Sequence, residues 1–482
     1  MSANRRISQE ILEARLEELK NDIETKLRVL ARLRGPQTSP NPESTPTSTN
    51  DISTNAGTGG DVADSAGSKR RFRGKRGTSA AVGASAKSVS RHMDFEMPRD
   101  LVENVDLDDA IERTLPKNYN FEIKKTLWRI RRCQAKRVAI QLPEGLLLFA
   151  CPISDLLERF GQVEIFVFAD VTYGACCVDD FAARALGCEL LVHYGHSCLV
   201  PVDVTSKSPS EQEAGTTQVM YVFVDVNFDV EHMVESIKLE FPDPSSRLAI
   251  LGTIQFSGTL HLAKTELDKF YSTPVLVPQA RPLSSGEVLG CTSPTLPQDE
   301  LDAFIFVADG RFHLESAMIA NPMLPALRYD PYSKVFTREA YDSPALLSIR
   351  LKDINRAKKA ERWGVILGTL GRQGNPLILR RIVNAIKETK PNAQVAVILL
   401  SELSSAKLSA MEEQVEAWVQ IACPRLSIDW AEAFSKKPLL TPYEAFVALG
   451  KAEWRDKVYP QDFYAKGSGP WTNYYDEKTS SS

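Results

Sequence analysis

Three of the chain's eight cysteines sit where a thiol could act as a ligand. They are Cys176 in Tyr173-Gly-Ala-Cys-Cys-Val-Asp-Asp180, Cys291 in Leu289-Gly-Cys-Thr-Ser-Pro294 and Cys423 in Ala422-Cys-Pro-Arg-Leu-Ser427. Each follows an apolar, strand-like run at a turn containing Gly or Pro. In open α/β sheets the carboxyl ends of the strands are where ligands bind. The three lie 115 and 132 residues apart (176 to 291 to 423), with no Cys-x-x-Cys, and match no compact metal motif. Spacing alone leaves two readings open, because an ordinary buried thiol is a small hydrophobe. Position favours the ligand reading, since each cysteine belongs to a different strand-and-helix block. Three soft thiolates without a fourth suit an iron–sulfur cube with one open iron. Structural zinc, which closes its shell with four ligands, fits less well. Cys133, Cys151, Cys188 and Cys198 fall within or beside expected helices and strands, and Cys177 should point away from its neighbour.

The elements that must position these thiols alternate. Expected strands at 138–142, 163–169 and 190–195 alternate with helices at 146–160 and 179–186. Strands at 219–225, 248–253, 273–278 and 303–308 follow, with helices near 229–240, 257–271 and 314–320. The last block has strands at 363–369, 394–400 and 417–422. Such alternation means parallel sheets with right-handed crossovers. The triplets Leu251-Gly-Thr253 and Leu367-Gly-Thr369 echo each other 116 residues apart (251 to 367), about the length of one small α/β domain. The expected architecture is therefore α/β. It has three related Rossmann-like domains with parallel sheets in a pseudo-threefold arrangement: 95–217 with Cys176, 218–335 with Cys291, and 336–474 with Cys423. A tail, 475–482, and an amino-terminal segment, 1–94, complete the chain.

In that segment, residues 7–34 carry leucines and isoleucines at spacings of three and four, the pattern of an amphipathic helix. Residues 35–92 are rich in Ser, Thr, Pro, Gly and Ala and are expected to be a disordered linker. The basic run Lys69-Arg-Arg-Phe-Arg-Gly-Lys-Arg76 could be a nuclear signal or an RNA-contact tail, but reads better as a solvated linker. A polar insertion is expected near 205–217.

With 482 residues, 43% hydrophobic and 25% charged, the chain has the composition of a multidomain globular protein. A net charge of −4 implies no global field for nucleic acid or a membrane surface, and nothing approaches the about 20 apolar residues of a membrane span. Eight cysteines without an apolar leader point to a reducing, cytoplasmic setting. Two rival functions stay in view: an α/β transferase binding an ordinary nucleotide without a cluster, and a non-catalytic scaffold holding structural zinc. Neither Gly-x-Gly-x-x-Gly nor Gly-x-x-x-x-Gly-Lys supports the first.

The cysteine turns do not stand alone. His193-Tyr-Gly-His-Ser-Cys198, Asp309-Gly-Arg-Phe-His-Leu-Glu-Ser316, Leu367-Gly-Thr-Leu-Gly-Arg-Gln-Gly374, Asn118-Tyr-Asn-Phe-Glu-Ile123 and Arg328-Tyr-Asp-Pro-Tyr-Ser333 accompany them. From about 95 to about 474 this set resembles the eukaryotic diphthamide synthase family. The resemblance implies a [4Fe–4S] cluster on Cys176, Cys291 and Cys423. It also implies a radical transfer of a 3-amino-3-carboxypropyl group from S-adenosylmethionine to a histidine carbon of elongation factor 2. Expected partners are a sister subunit in a heterodimer, elongation factor 2 as substrate and a small electron-donor protein, with no membrane and no direct nucleic acid. The sister subunit typically lacks the middle thiol, so Cys291 implies the catalytic role for this chain.

The carboxylate of S-adenosylmethionine needs a cation or backbone N–H groups at a helix start. Gly368, Thr369, Gly371 and Arg372 are the expected ligands. Arg311 and Arg425 could pair with that carboxylate or with a carboxylate between domains. His193, His196 and His313 are expected as hydrogen-bonded loop histidines in preference to proton donors. Glu144 and Asp170 could contact ribose or ammonium, or cap helices.

Overall fold

The computed structural model describes residues 97–196, 217–464, 468–473 and 475. The helix expected at 7–34, the linker at 35–92 with Lys69–Arg76, Cys198, most of the 205–217 insertion and the tail beyond 475 lie outside the described residues. Residues 91–482 form one compact unit.

Short apolar runs build three four-stranded sheets. A two-residue strand, β1 (Tyr119–Asn120), precedes the first. That sheet contains β2 (Arg137–Gln141), β3 (Glu164–Phe168), β4 (Leu190–Tyr194) and β5 (Gln218–Val222), all parallel in the order β3-β2-β4-β5. Leu190-Leu-Val-His-Tyr194 is buried at every position, so both faces are covered and the strand shows no polar alternation. A second short strand, β6 (Asp225–Val226), pairs antiparallel with β1 and leads into the second sheet.

The second sheet holds β7 (Leu248–Gly252), β8 (Ala303–Val307), β9 (Ala326–Asp330) and β10 (Val335–Glu339). β7, β8 and β9 are parallel, and β10 returns antiparallel along β9. The strand expected at 273–278 is reduced to one bridge, Leu276 to Ala249 on the free edge of β7. β9 and β10, absent from the sequence reading, are short and carry charged residues, Ala-Leu-Arg-Tyr-Asp and Val-Phe-Thr-Arg-Glu. They carry this sheet on to Glu339, past the division expected at 335.

The third sheet comprises β11 (Arg362–Gly368), β12 (Gln394–Leu400), β13 (Ala417–Ile421) and β14 (Leu439–Leu440), parallel in the order β12-β11-β13-β14. The first and third sheets thus share one plan, with the second strand in sequence beside the first and the third on its other side. Counting the Leu276 bridge, the second sheet follows it too. The echoed Leu-Gly-Thr triplets occupy matching places, at the ends of β7 and β11. Such an order reverses direction between the first and third strands, where a crevice opens at their carboxyl ends. Those points are Gln141 beside His193, Thr253 beside Ala308, and Gly368 beside Ala422, one residue before Asp309 and Cys423 respectively.

The helices Ser343–Ala357 and Pro442–Ala448 close the third sheet through a fully buried ion pair. Arg350 donates to both carboxylate oxygens of Glu444 at 2.7 Å, and Glu444 also completes a capping box with Thr441. The apolar core of this sheet, including Trp363, Ile378, Ile421 and Tyr443, runs without a break into Ala175, Cys176, Cys177, Leu289 and Cys291. The third sheet's core is therefore also the floor under two of the three ligand turns.

Candidate metal centre

After β3 the chain turns through Gly174 into a short 3₁₀ turn, Ala175–Cys177, closed by Cys177 N–H donating to the Gly174 carbonyl at 2.9 Å. This turn leaves the two adjacent thiols side by side, against the expectation that Cys177 points away. Cys177 is fully buried, whereas Cys176 keeps 8% of its surface. Their sulfurs are 4.0 Å apart. Gln141, at the end of β2, donates to the Cys177 carbonyl at 2.9 Å and fixes the turn from below.

The turn is held from the other side by the loop after β11. The Arg372 backbone N–H donates to the Cys176 carbonyl at 2.8 Å. Gly371 has φ +53°, and a Cβ there would lie 2.4 Å from the Cys177 carbonyl carbon, so only glycine allows the two backbones to meet. The Gln373 amide nitrogen lies 3.2 Å from Cys177 Sγ and 4.0 Å from Cys176 Sγ.

Cys291 and Cys423 are joined by one side chain. Arg425, two residues after Cys423, opens the helix Arg425–Phe434 and reaches the Gly290 carbonyl at 3.3 Å and the Phe312 carbonyl at 2.7 Å. Its remaining donors meet Glu315 at 2.5 Å and Asp429 at 2.7 Å, and its guanidinium lies 4.5 Å over the Phe312 ring. Beyond Cys291, the Thr292 hydroxyl donates to Asp462 at 3.2 Å, tying the turn to the carboxyl-terminal segment.

The structure brings Cys176, Cys291 and Cys423 into one neighbourhood. Cys176 lies within electrostatic reach of both other cysteines, and Cys291 within reach of Cys423. All three are buried to nearly the same depth, 8%, 8% and 7% exposed. The Cys177 hydrogen bond and then burial raise the Cys176 thiol. Burial raises Cys291 far above its ordinary range and pushes Cys423 up to about 12. Neutral thiols of this kind need a strongly cationic centre to become thiolate ligands, which an iron–sulfur core provides. Among the described residues no three His, Cys, Asp or Glu side chains converge tightly enough for a single metal ion. A cube attaches each cysteine to a different iron, so its ligands stand further apart than those of one zinc. The donor set fits a cluster.

The loop expected to bind the carboxylate of S-adenosylmethionine is placed beside this centre, with its donors turned inward. The Thr369 N–H donates to the Leu400 carbonyl at 2.9 Å, and the Arg372 N–H is used on Cys176. The Arg372 guanidinium makes a two-pronged pair with Asp180, at 2.7 and 2.5 Å, and stacks 3.8 Å over Phe181. Gly368, at the end of β11, is buried. Of the readings weighed for Arg425, the structure realises the inter-domain carboxylate. Arg311 instead pairs within the second block, with Glu339 on β10 and with Glu315.

His193 Nδ1–H donates to Gln141 Oε1 at 3.0 Å, and His193 Nε2 shares a hydrogen bond with His196 Nδ1 at 3.2 Å, so both are hydrogen-bonded histidines. Burial lowers His193 to about 3 and His313 to about 4, and holds His196 well below its ordinary range. His196 and His313 face a cavity of about 280 Å³ between the first two sheets, with Asp309, Gln255 and Thr253 on its other walls. The buried Thr253 hydroxyl has no hydrogen-bond partner among the described residues. Sequence reading missed Gln141, Asp180, Thr253 and Gln373. The one signal for Gln141 was a polar residue ending an otherwise apolar strand.

Fold and site together define an α/β protein of largely parallel sheets in which two strand-end turns, at Cys176 and Cys423, and the irregular segment before β8, at Cys291, gather three thiols suited to a polynuclear metal cluster. The family model described as "Putative diphthamide synthesis protein" matches residues 142–460. The 2-(3-amino-3-carboxypropyl)histidine synthase subunit 1 of Homo sapiens is 54% identical over 378 residues, covering 78% of this chain and 82% of that protein. Its Schizosaccharomyces pombe counterpart is 48% identical over 427 residues, covering 84% and 93%. A crystal structure of Dph2 from Pyrococcus horikoshii with a 4Fe-4S cluster superposes with a TM-score of 0.56 at 27% identity, covering 70% of this chain and 93% of that one. The chain belongs to the diphthamide synthesis family and is an enzyme of the 2-(3-amino-3-carboxypropyl)histidine synthase type, acting in diphthamide biosynthesis. Among the described residues no helix is long and apolar enough to cross a membrane.

Proposed function

We propose that this chain is the cluster-bearing, catalytic subunit of the synthase. It would transfer a 3-amino-3-carboxypropyl group from S-adenosylmethionine to a histidine carbon of elongation factor 2. The observation that carries this reading is the meeting of Cys176, Cys291 and Cys423 at equal depth, one from each sheet-bearing block. Held by those sulfurs, a [4Fe–4S] cluster would supply the electron that cleaves a carbon–sulfur bond of the sulfonium, leaving methylthioadenosine.

The chain's own residues position the ligands and exclude water. Arg372 and Arg425 lock the three turns together, and the shared apolar core shields them. The cavity lined by Thr253, Asp309, His196 and His313 lies at the carboxyl ends of two sheets, where an α/β protein takes its ligand. Asp309 is an acceptor suited to a ribose diol, and Thr253 offers a free hydroxyl. The loop of Gly368, Thr369, Gly371 and Arg372 forms the wall of the site beside the cysteines. The blocks 95–217, 218–335 and 336–474 are read as three Rossmann-like domains around a pseudo-threefold axis. The partners are a sister subunit, elongation factor 2 and a small electron-donor protein, in the cytoplasm.

The test is anaerobic purification followed by assay. A brown protein that loses its visible absorbance on Cys291→Ser supports the cluster, and a colourless protein carrying stoichiometric zinc overturns it. Dithionite, S-adenosylmethionine and unmodified elongation factor 2 should then give methylthioadenosine and an aminocarboxypropyl-modified histidine. Consumption of S-adenosylmethionine without labelling of the factor would refute the substrate.

A further inference from the structure

Beside the Cys176 turn, Gln373 is a polar side chain to which the chemistry above gives no role. It is buried, 7% exposed, and both hydrogen-bond partners of its amide nitrogen are sulfur: Cys177 Sγ at 3.2 Å and Cys176 Sγ at 4.0 Å. Its place is over-determined. Gly371 is jammed against the Cys177 backbone, Arg372 is clamped to Asp180, and the Gln373 N–H donates to the Leu370 carbonyl at 3.2 Å. A neutral amide that must stay in an apolar core costs free energy unless its N–H groups are used, and here thiol sulfur uses them.

We propose that Gln373 is the N–H···S donor that sets the reduction potential of the cluster held by Cys176, and a positioning residue for that sulfur. The inference rests on the cluster assignment above. An amide carries two N–H groups, and the two adjacent sulfurs stand 4.0 Å apart, so one side chain can serve both. A thiolate is a stronger acceptor than a thiol, so metal ligation by Cys176 would shorten its contact with Gln373. Such a bond withdraws negative charge from the ligand. It thereby favours the reduced cluster, which carries one more electron. Gln373 makes the cluster easier to reduce, and it does so from the third sheet while the sulfur belongs to the first.

The experiment is a redox titration, followed by electron paramagnetic resonance, of anaerobically purified wild type, Gln373→Met and Gln373→Glu. Methionine keeps the side-chain volume and removes the donor; glutamate keeps the shape and replaces the donor by an acceptor. Both should move the midpoint potential negative, by a factor of about ten in the reduction equilibrium for methionine, equivalent to about 59 mV for a one-electron couple. Glutamate should move it further. Unshifted potentials with full iron content overturn the proposal, and so does a loss of iron content without a shift, which is what a purely structural role would give.

A second measurement needs no variant. In reduced wild type, pulsed resonance should detect a weak nitrogen coupling that changes isotope when glutamine is labelled with ¹⁵N. Absence of any glutamine coupling overturns the proposal even where the variants fail to fold. Failure of the cluster assignment is separate and visible beforehand, because the wild type would then show no reducible signal at all.

Discussion

Arg372 and Asp180, 192 residues apart in sequence, meet through two short hydrogen bonds between the loop after β11 and the helix that follows the Cys176 turn. Asp180 is wholly buried, and Phe181 covers the open face of the guanidinium. The pair fixes where the first sheet's ligand turn lies relative to the third sheet.

Removing the cation should therefore unfold this junction. A buried carboxylate left unpaired costs about 3–5 kcal/mol; Arg184 stays 3.6 Å from Asp180 and offsets part of that, so Arg372→Ala should lower the unfolding free energy by about 2 kcal/mol, measured by urea denaturation. Arg372→Lys should recover only part of it, because lysine lacks the planar fork and the stack. A variant of unchanged stability with weakened S-adenosylmethionine binding would return Arg372 to the role of carboxylate ligand.

The neighbouring thiols should separate cleanly. Cys176→Ala should abolish the visible absorbance of the anaerobic protein. Cys177→Ala, in the apolar floor, should retain it at a stability cost of about 1 kcal/mol. The reverse pattern would assign the ligand to Cys177.

Gly371→Ala tests the backbone approach without touching a polar group. The residue has φ +53° and no room for a Cβ against Cys177. The conformational term alone is about 1–2 kcal/mol, and the clash adds to it. Calorimetry should show a lowered Tm and metal analysis a lowered iron content. A substitution that is neutral in both would mean that the two backbones are not in contact.

Acid should weaken the fold through His193. Its folded pKa is depressed to about 3 by burial, below an unfolded value of about 6.5. The unfolded chain therefore binds the extra proton first, and the contribution is intact above about pH 6.5 and is lost as pH falls towards 3. Between pH 7 and pH 5 this one group should remove about 2 kcal/mol. Chemical denaturation at the two pH values should show that loss in wild type and much less of it in His193→Gln.

The sequence by itself determined the strands that are buried on both faces, because continuous apolar runs bounded by Gly and Pro admit little else. β11 and β13 lie within one or two residues of their expected spans, and so does β12, although it is an edge strand with Val397 and Leu399 exposed. It also picked out the turns of Cys176 and Cys423, each of which ends a strand, whereas Cys291, expected after a strand, lies in an irregular segment that makes only isolated bridges. It could not show β9 and β10, whose charged residues are tolerated only because the hairpin covers one edge of a sheet already formed. Nor could it divide the arginines by role. A guanidinium in a glycine-rich loop before a helix reads equally as an anion ligand or as a clamp. The choice fell to Asp180, a buried carboxylate 192 positions away that takes the two-pronged pair with Arg372 and a longer contact with Arg184. Local composition determines what a residue is able to do; the tertiary structure decided which partner it has, because contacts between distant segments exist only once the sheets have packed.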